Sequence, residues 1–156
     1  MQLDETYISE AIAIANKNID KNGGPFGAII VFKNTIIARG SNTVTLDNDP
    51  TAHAEINAIR KASDLLKSID LSGCVLYSSC EPCPMCLSAI YWAKIDKVYY
   101  STTREDAQNA GFDDNFLYNE FTKPLDQRKI PFINIVNNNA IQVFEKWISK
   151  SDKIPY

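Results

Sequence analysis

Apolar residues recur at three- and four-residue spacings over residues 5–19, where Tyr7, Ile8, Ala11, Ile12, Ala15 and Ile19 mark one face of an amphipathic helix that stops before the turn signal KNGG. The pattern then changes. GPFGAIIVF and TIIARGSN are β-rich runs separated only by Lys33 and Asn34, a connection short enough for an antiparallel hairpin. After DNDPT the helical period returns in AHAEINAIRKASDLLK, through Ile56, Ile59, Ala62 and Leu66. SGCVLYSSC predicts a third strand, and CPMCLSAIYWAKI a third helix entered through Glu81-Pro82, with proline suited to a first turn. KVYYSTT predicts a fourth strand. Residues 104–128 are polar and mixed, and EDAQNAGFDDNFLYNEF predicts a turn and a short helix. PFINIVNN predicts a fifth strand and AIQVFEKWI a last helix before the tail SKSDKIPY.

This order of elements predicts an α/β fold, a three-layer α/β/α sandwich with a mixed five-stranded sheet. Strands three and four are expected to run parallel about a right-handed crossover. In such sheets, sites gather where strand ends meet helix N-termini, which is where CEPCPMC, residues 80–86, falls. The 156 residues fit one domain spanning 1–156. With 45% hydrophobic and 22% charged residues, the composition excludes a disordered or fibrous class. The first ten residues lack a basic stretch followed by an apolar one, and the longest apolar run, FGAIIVF, is far too short to span a bilayer. The chain reads as cytoplasmic, with no membrane partner. In that reducing compartment a cysteine cluster indicates a metal or catalytic site before a disulfide framework. Cys74, apart from the cluster in an apolar run, reads as a core residue. A net charge of −3 and a pI of about 5.1 supply no general attraction for phosphate backbones, so a small-molecule substrate is expected and nucleic acid is not.

Cys83 and Cys86 stand three apart at the start of a predicted helix, so both thiols project from one face of its first turn, where the helix dipole favours thiolates. The chain has one histidine, His53, which opens the second helix in the stretch HAE. If both helix N-termini point at one pocket, His53, Cys83 and Cys86 can hold one tetrahedral zinc per chain, with the fourth position open to water and Glu55 beside it as proton carrier. Two rival arrangements use the same residues. A closed Cys3His knot would recruit Cys80 and only stabilise the fold, leaving Glu55 a surface helix residue. A thioredoxin-like pair would use Cys83 and Cys86 for redox chemistry and leave HAE unexplained. A third possibility is a scaffold protein that retains fold and metal without turnover, which would not need Glu55.

H-x-E followed by P-C-x-x-C is the recognised signature of zinc nucleobase deaminases. TAHAEINAIR and CEPCPMC thus resemble the cytidine deaminase superfamily, whose order of elements agrees with that predicted here. GGPFGAIIV, GSNTVTLDNDPTAHAE, NAGFDDNFLYNEF and the terminal KIPY are similar to the bacterial-type guanine deaminases, from the first helix to the last residue. The tRNA adenosine deaminase branch shares GPFGA, HAE and PCxxC and is the close alternative, with other free-nucleobase deaminases behind it. The resemblance implies hydrolysis of guanine to xanthine and ammonia, with a free purine base as partner. It implies zinc on His53, Cys83 and Cys86, Glu55 as the catalytic acid and base, and substrate contacts from Phe26, Asn42, Ala54, Asp114 and Tyr156. By the same resemblance, Asn42 contacts the purine, Asp114 faces the amino-bearing edge, and Phe26 and Ala54 line the ring. Trp92, in the third helix, reads as a packing residue. Finally, the resemblance implies a homodimer in which the segment of about residues 139–156 is exchanged between subunits and Tyr156 covers the partner's purine site.

Overall fold

Lys33 and Asn34 both have positive φ, 48° and 60°, as the two central residues of a type I′ turn must, and that turn's twist matches the strands it joins. In the computed structural model, which describes residues 2–155, they connect β1 (Gly27–Phe32) to an antiparallel β2 (Thr35–Ser41). β1 also pairs antiparallel with β3 (Cys74–Cys80), and β3 pairs parallel with β4 (Lys97–Thr102). The sheet order is β2-β1-β3-β4.

Helices cover both faces. On one side α1 (Gln2–Ile19) sets Tyr7 against Ile29, Val31 and Tyr77. On the other, α3 (Ala54–Leu66) and α4 (Pro84–Trp92) bring Ala54, Ala58, Ala62 and Ile90 onto Ala28, Ile30 and Leu76. A one-turn helix, α2 (Val44–Asp47), lies in the link from β2 to α3. The alanine row of α3 has a reason in Gly40. A Cβ there would lie 2.0 Å from the Ala54 carbonyl oxygen and 2.6 Å from the Ala58 nitrogen, so β2 and α3 touch backbone to backbone. Only small residues permit this approach, and it fixes where the first turn of α3, with HAE, sits against the sheet.

The three layers and the mixed sheet agree with the sequence pattern, but the sheet has four strands and not five. PFINIVNN forms no ladder. Residues 131–137 carry no regular structure, and Ile133, Ile135 and Val136 are each more than 80% exposed. A β-branched run reads as a strand from its own residues, whereas a strand exists only with a partner edge. Residues 104–128 also hold more helix than predicted: α5 (Arg104–Asn109), α6 (Asn115–Thr122) and a 3-10 turn at Leu125–Gln127. The start of α5 was legible as T-x-x-D, since Thr103 and Asp106 form a reciprocal capping box. Trp92, read as a packing residue, is 67% exposed, and Leu87 and Tyr91 of the same helix are exposed with it.

By contacts the chain divides into two compact units, one reaching to Tyr118 and the other beginning at Asn119. The first contains the whole sheet. The second carries the 3-10 turn and α7 (Ala140–Ser149), whose Val143, Phe144 and Trp147 are exposed. Among the described residues no helix is long and apolar enough to cross a membrane.

Candidate active site

His53 and Cys83 occupy equivalent places in the fold. Each is the N-cap residue of its helix, with extended backbone (φ −69°, ψ 157° and φ −64°, ψ 168°) and a carbonyl that accepts the first helical hydrogen bond, from Asn57 and Leu87 respectively. Neither side chain caps its own helix, so both point outward, toward each other. Pro84 opens α4, where its missing N–H costs nothing, and one turn later Cys86 returns to the same face.

The three side chains converge. His53 Nδ1 lies 3.6 Å from Cys83 Sγ and 3.5 Å from Cys86 Sγ, and all three donor atoms lie within 4.8 Å of one another. Zinc bonds of roughly 2.0–2.1 Å to nitrogen and 2.3 Å to sulfur at a tetrahedral angle require an N···S separation of about 3.6 Å. The donors therefore fit a tetrahedral zinc. They form the one such cluster of histidine, cysteine and carboxylate groups among the described residues. Cys80 stands outside it: its buried thiol donates to the Thr103 carbonyl at 3.5 Å.

The charges of the cluster ask for a cation. Cys83 is held down to about 4 by the hydrogen bond from the Cys86 thiol and then by that with His53. The Cys86 thiol is pushed up by the same hydrogen bond and by burial. His53 is raised, chiefly through its hydrogen bond with Cys83. Glu55, on the first turn of α3, is only 6% exposed. Ser78 Oγ donates to its Oε1 at 3.1 Å and the Cys86 thiol to its Oε2 at 3.4 Å. Burial first, and then the nearby Cys83 thiolate, raise the Glu55 carboxyl above its usual range, the direction that favours the protonated acid.

Over this floor opens a cleft of about 360 Å³ whose lining includes Phe26, Asn42, His53, Glu55, Glu81, Arg104, Phe112 and Asp114. Phe26 meets Phe112 edge-on at 4.9 Å, which ties the GFDD loop to the start of β1. Asn42 is buried, and its Oδ1 accepts from the Val44 N–H at 3.3 Å, leaving the amide NH2 for the cleft. The Asp114 carboxyl is raised by burial and by the Cys83 charge, against the charge of Arg104. Ala54, between His53 and Glu55 on the chain, is fully buried in the core, and its side chain is not on the cleft lining. Close packing of α3 on Gly40 draws it inward. Tyr156 lies outside the described residues.

Several supporting residues were not singled out from the sequence. Asn18 Nδ2 donates to the carbonyls of Gly24 and Asn42, at 2.8 and 2.7 Å. Asn57 Nδ2 donates to the Ser41 carbonyl and Thr43 Oγ1, both at 2.9 Å, which pins the start of α3 to the end of β2. Ser78 was the most legible of these, as one of two serines that follow the apolar run CVLY in β3.

One imidazole and two thiols, with a protonatable carboxyl buried beside them and an open cleft above, define a zinc-dependent deaminase. Residues 1–102 match the cytidine and deoxycytidylate deaminase zinc-binding region, and the chain belongs to that family. It is 48% identical over 153 residues to the guanine deaminase of Bacillus subtilis, covering 97% of this chain and 98% of that protein. The X-ray structure of guanine deaminase from the same organism superposes with a TM-score of 0.96, over 97% of this chain and 98% of the other. The tRNA-specific adenosine deaminase of Bacillus subtilis is 39% identical over 100 residues, 64% of this chain and 62% of that protein.

Proposed function

We propose that this protein hydrolyses guanine at C2, releasing ammonia and xanthine. The observation that carries this reading is the extent of the likeness to a guanine deaminase. It runs through 97% of the chain, whereas the likeness to the tRNA-specific enzyme covers 64%. The longer match takes in the GFDD segment, and so Asp114 on the cleft wall.

His53, Cys83 and Cys86 would hold the zinc, which when bound supplies a Lewis acid that makes water a competent nucleophile near neutral pH. Glu55 is the proton carrier. Its Oε1 is oriented by Ser78, and its buried carboxyl takes a proton from the attacking water, delivers one to a ring nitrogen flanking C2, and passes the next to the departing amine. Asp114 accepts from the amino-bearing edge, Asn42 donates to a ring acceptor, and Phe26 packs against the base. The four free cysteines suit a reducing compartment, and a cytoplasmic location goes with this reading.

Product analysis with guanine, adenine, cytosine and a tRNA anticodon hairpin tests the assignment. Xanthine and ammonia are expected from guanine alone. Deamination of the hairpin, with affinity falling steeply in salt, would replace this reading by that of a tRNA-editing enzyme. Asp114→Ala is expected to lower kcat/KM for guanine at least tenfold, since an unpaired buried amine is worth roughly 1–3 kcal/mol. Steady-state assays at equal zinc content measure the effect.

The working form we propose is a homodimer that exchanges the segment from about residue 139 onward. Support comes from the apolar surface within the second unit: Val143, Phe144 and Ile148 on α7, and Ile133, Ile135 and Val136 before it, are all exposed. Exchange of identical segments is a low-cost route to a dimer. The exposed Leu87, Tyr91 and Trp92 of α4 offer further apolar area. Tyr156 would then cover the partner's cleft and exclude water from it. Deleting residues 153–156 should lower kcat/KM for guanine at least tenfold with zinc content unchanged, and sedimentation equilibrium should give a dimer. Unchanged kinetics would remove the cover, and a monomeric mass the exchange.

A further inference from the structure

The cleft lining carries the carboxylates Glu55, Glu81, Asp113 and Asp114 but only one permanently charged cation, Arg104. Arg104 is exposed, whereas Glu55 is buried, so Arg104 stands toward the mouth and Glu55 on the floor. Its backbone is pinned twice: the capping box of Thr103 and Asp106 fixes the start of α5, and the Arg104 N–H donates to Glu81 Oε2 at 3.2 Å. Its guanidinium lies over the Tyr118 ring, 4.8 Å from the centroid. The Tyr118 side chain restrains the guanidinium by this ring contact and by a side-chain hydrogen bond. Among the described residues no carboxylate lies within ion-pair distance of it. A restrained guanidinium that keeps donors beyond its bond to Tyr118 thus faces a site that must take a base rich in acceptors.

This point rests on the guanine reading above. With C2 at the floor beside Glu55, the imidazole end of the purine is turned toward the mouth. Guanine offers two adjacent acceptors on that side, O6 and N7, and a bidentate arginine is their commonest specific partner. We propose that Arg104 reads the O6/N7 edge of the bound base and so selects guanine over purines that carry the same 2-amino group but no 6-carbonyl. Asp114 and Glu55 serve the amino-bearing end, which such purines share. Arg104 is accordingly a specificity residue: its loss penalises the carbonyl-bearing base more than the others.

The test uses zinc-loaded, full-length protein and the substitution Arg104→Met, which keeps the aliphatic stem. For guanine, kcat/KM should fall at least tenfold, the loss expected for one bidentate pair. For 2-aminopurine, which keeps N7 but has no O6, it should fall severalfold less than for guanine. Equilibrium binding in a Glu55→Gln background, where ligands are not consumed, gives a second readout. There Arg104→Met should weaken 8-azaguanine, which keeps the 6-carbonyl, at least tenfold, and 2,6-diaminopurine severalfold less. This binding comparison decides the matter if 2-aminopurine turns over too slowly to measure. Equal losses for both classes of base would make Arg104 a merely structural support of the GFDD loop and overturn the proposal, as would no loss for either. A wild-type protein that does not convert guanine fails the functional assignment itself, which is seen before any variant is made.

Discussion

Glu55→Gln is expected to lower kcat by about 10³-fold, within the range that positioned acid–base groups contribute, while the protein keeps its zinc. Glutamine matches the shape of the glutamate and can still accept from Ser78 Oγ, the bond that orients Oε1. What it lacks is a proton that comes and goes. The metal ligands are untouched, so zinc content by atomic absorption should equal that of the wild type. The metal-free variant should also be no less stable at pH 7. Burial raises the folded-state pKa of Glu55 above its unfolded value; stability linked to the protonated carboxyl is therefore full below the unfolded value and declines as pH rises through the folded one. Glutamine, which never ionises, avoids that decline. Retained turnover in a correctly loaded Glu55→Gln protein would exclude Glu55 as the proton carrier.

Alanine at His53, Cys83 or Cys86 is expected to release zinc and abolish measurable turnover, whereas Cys80→Ala should keep zinc and most activity. Removing one of three protein ligands leaves two, too few for the tetrahedral site that the 3.5 and 3.6 Å spacings describe. Cys80 is a neighbour of a different kind. Its thiol is engaged with the Thr103 carbonyl, and its loss removes a small buried group at a cost of about 1 kcal/mol. Zinc content and guanine turnover, measured on all four variants, separate an open catalytic site from a closed Cys3His knot. Loss of zinc from Cys80→Ala would restore the closed knot.

Legibility in the sequence followed the range of the interactions involved. The helices and the first four strands were readable because their patterns record which face is buried, as in Tyr7, Ala11 and Ala15 of α1 and Ala62 of α3, although Ile12 and Ile19, read onto the same face of α1, are exposed. HAE and PCxxC were readable because ligand chemistry restricts residue type and spacing together. The sheet's width was not readable: PFINIVNN has strand-forming residues, but only a partner edge makes a strand. The burial of Ala54 was not readable for a related reason, since it depends on the tight contact with Gly40 in another element. Asn18 and Asn57 look like ordinary helix-surface amides until the turns they bind are brought to them. Arg104 belonged to a stretch without clear periodicity, and its place on the cleft depends on the cap of α5 and the ring of Tyr118.

The two helix caps that meet at the cleft floor also set an order in time. His53, Glu55, Cys83 and Cys86 all precede β4 in the chain, and the sheet that carries them is complete at Thr102. α7 begins only at Ala140. A ribosome adding roughly 5–20 residues per second makes the metal-binding part of the molecule some seconds before the last helix exists. Zinc can therefore be taken up by a chain still under synthesis.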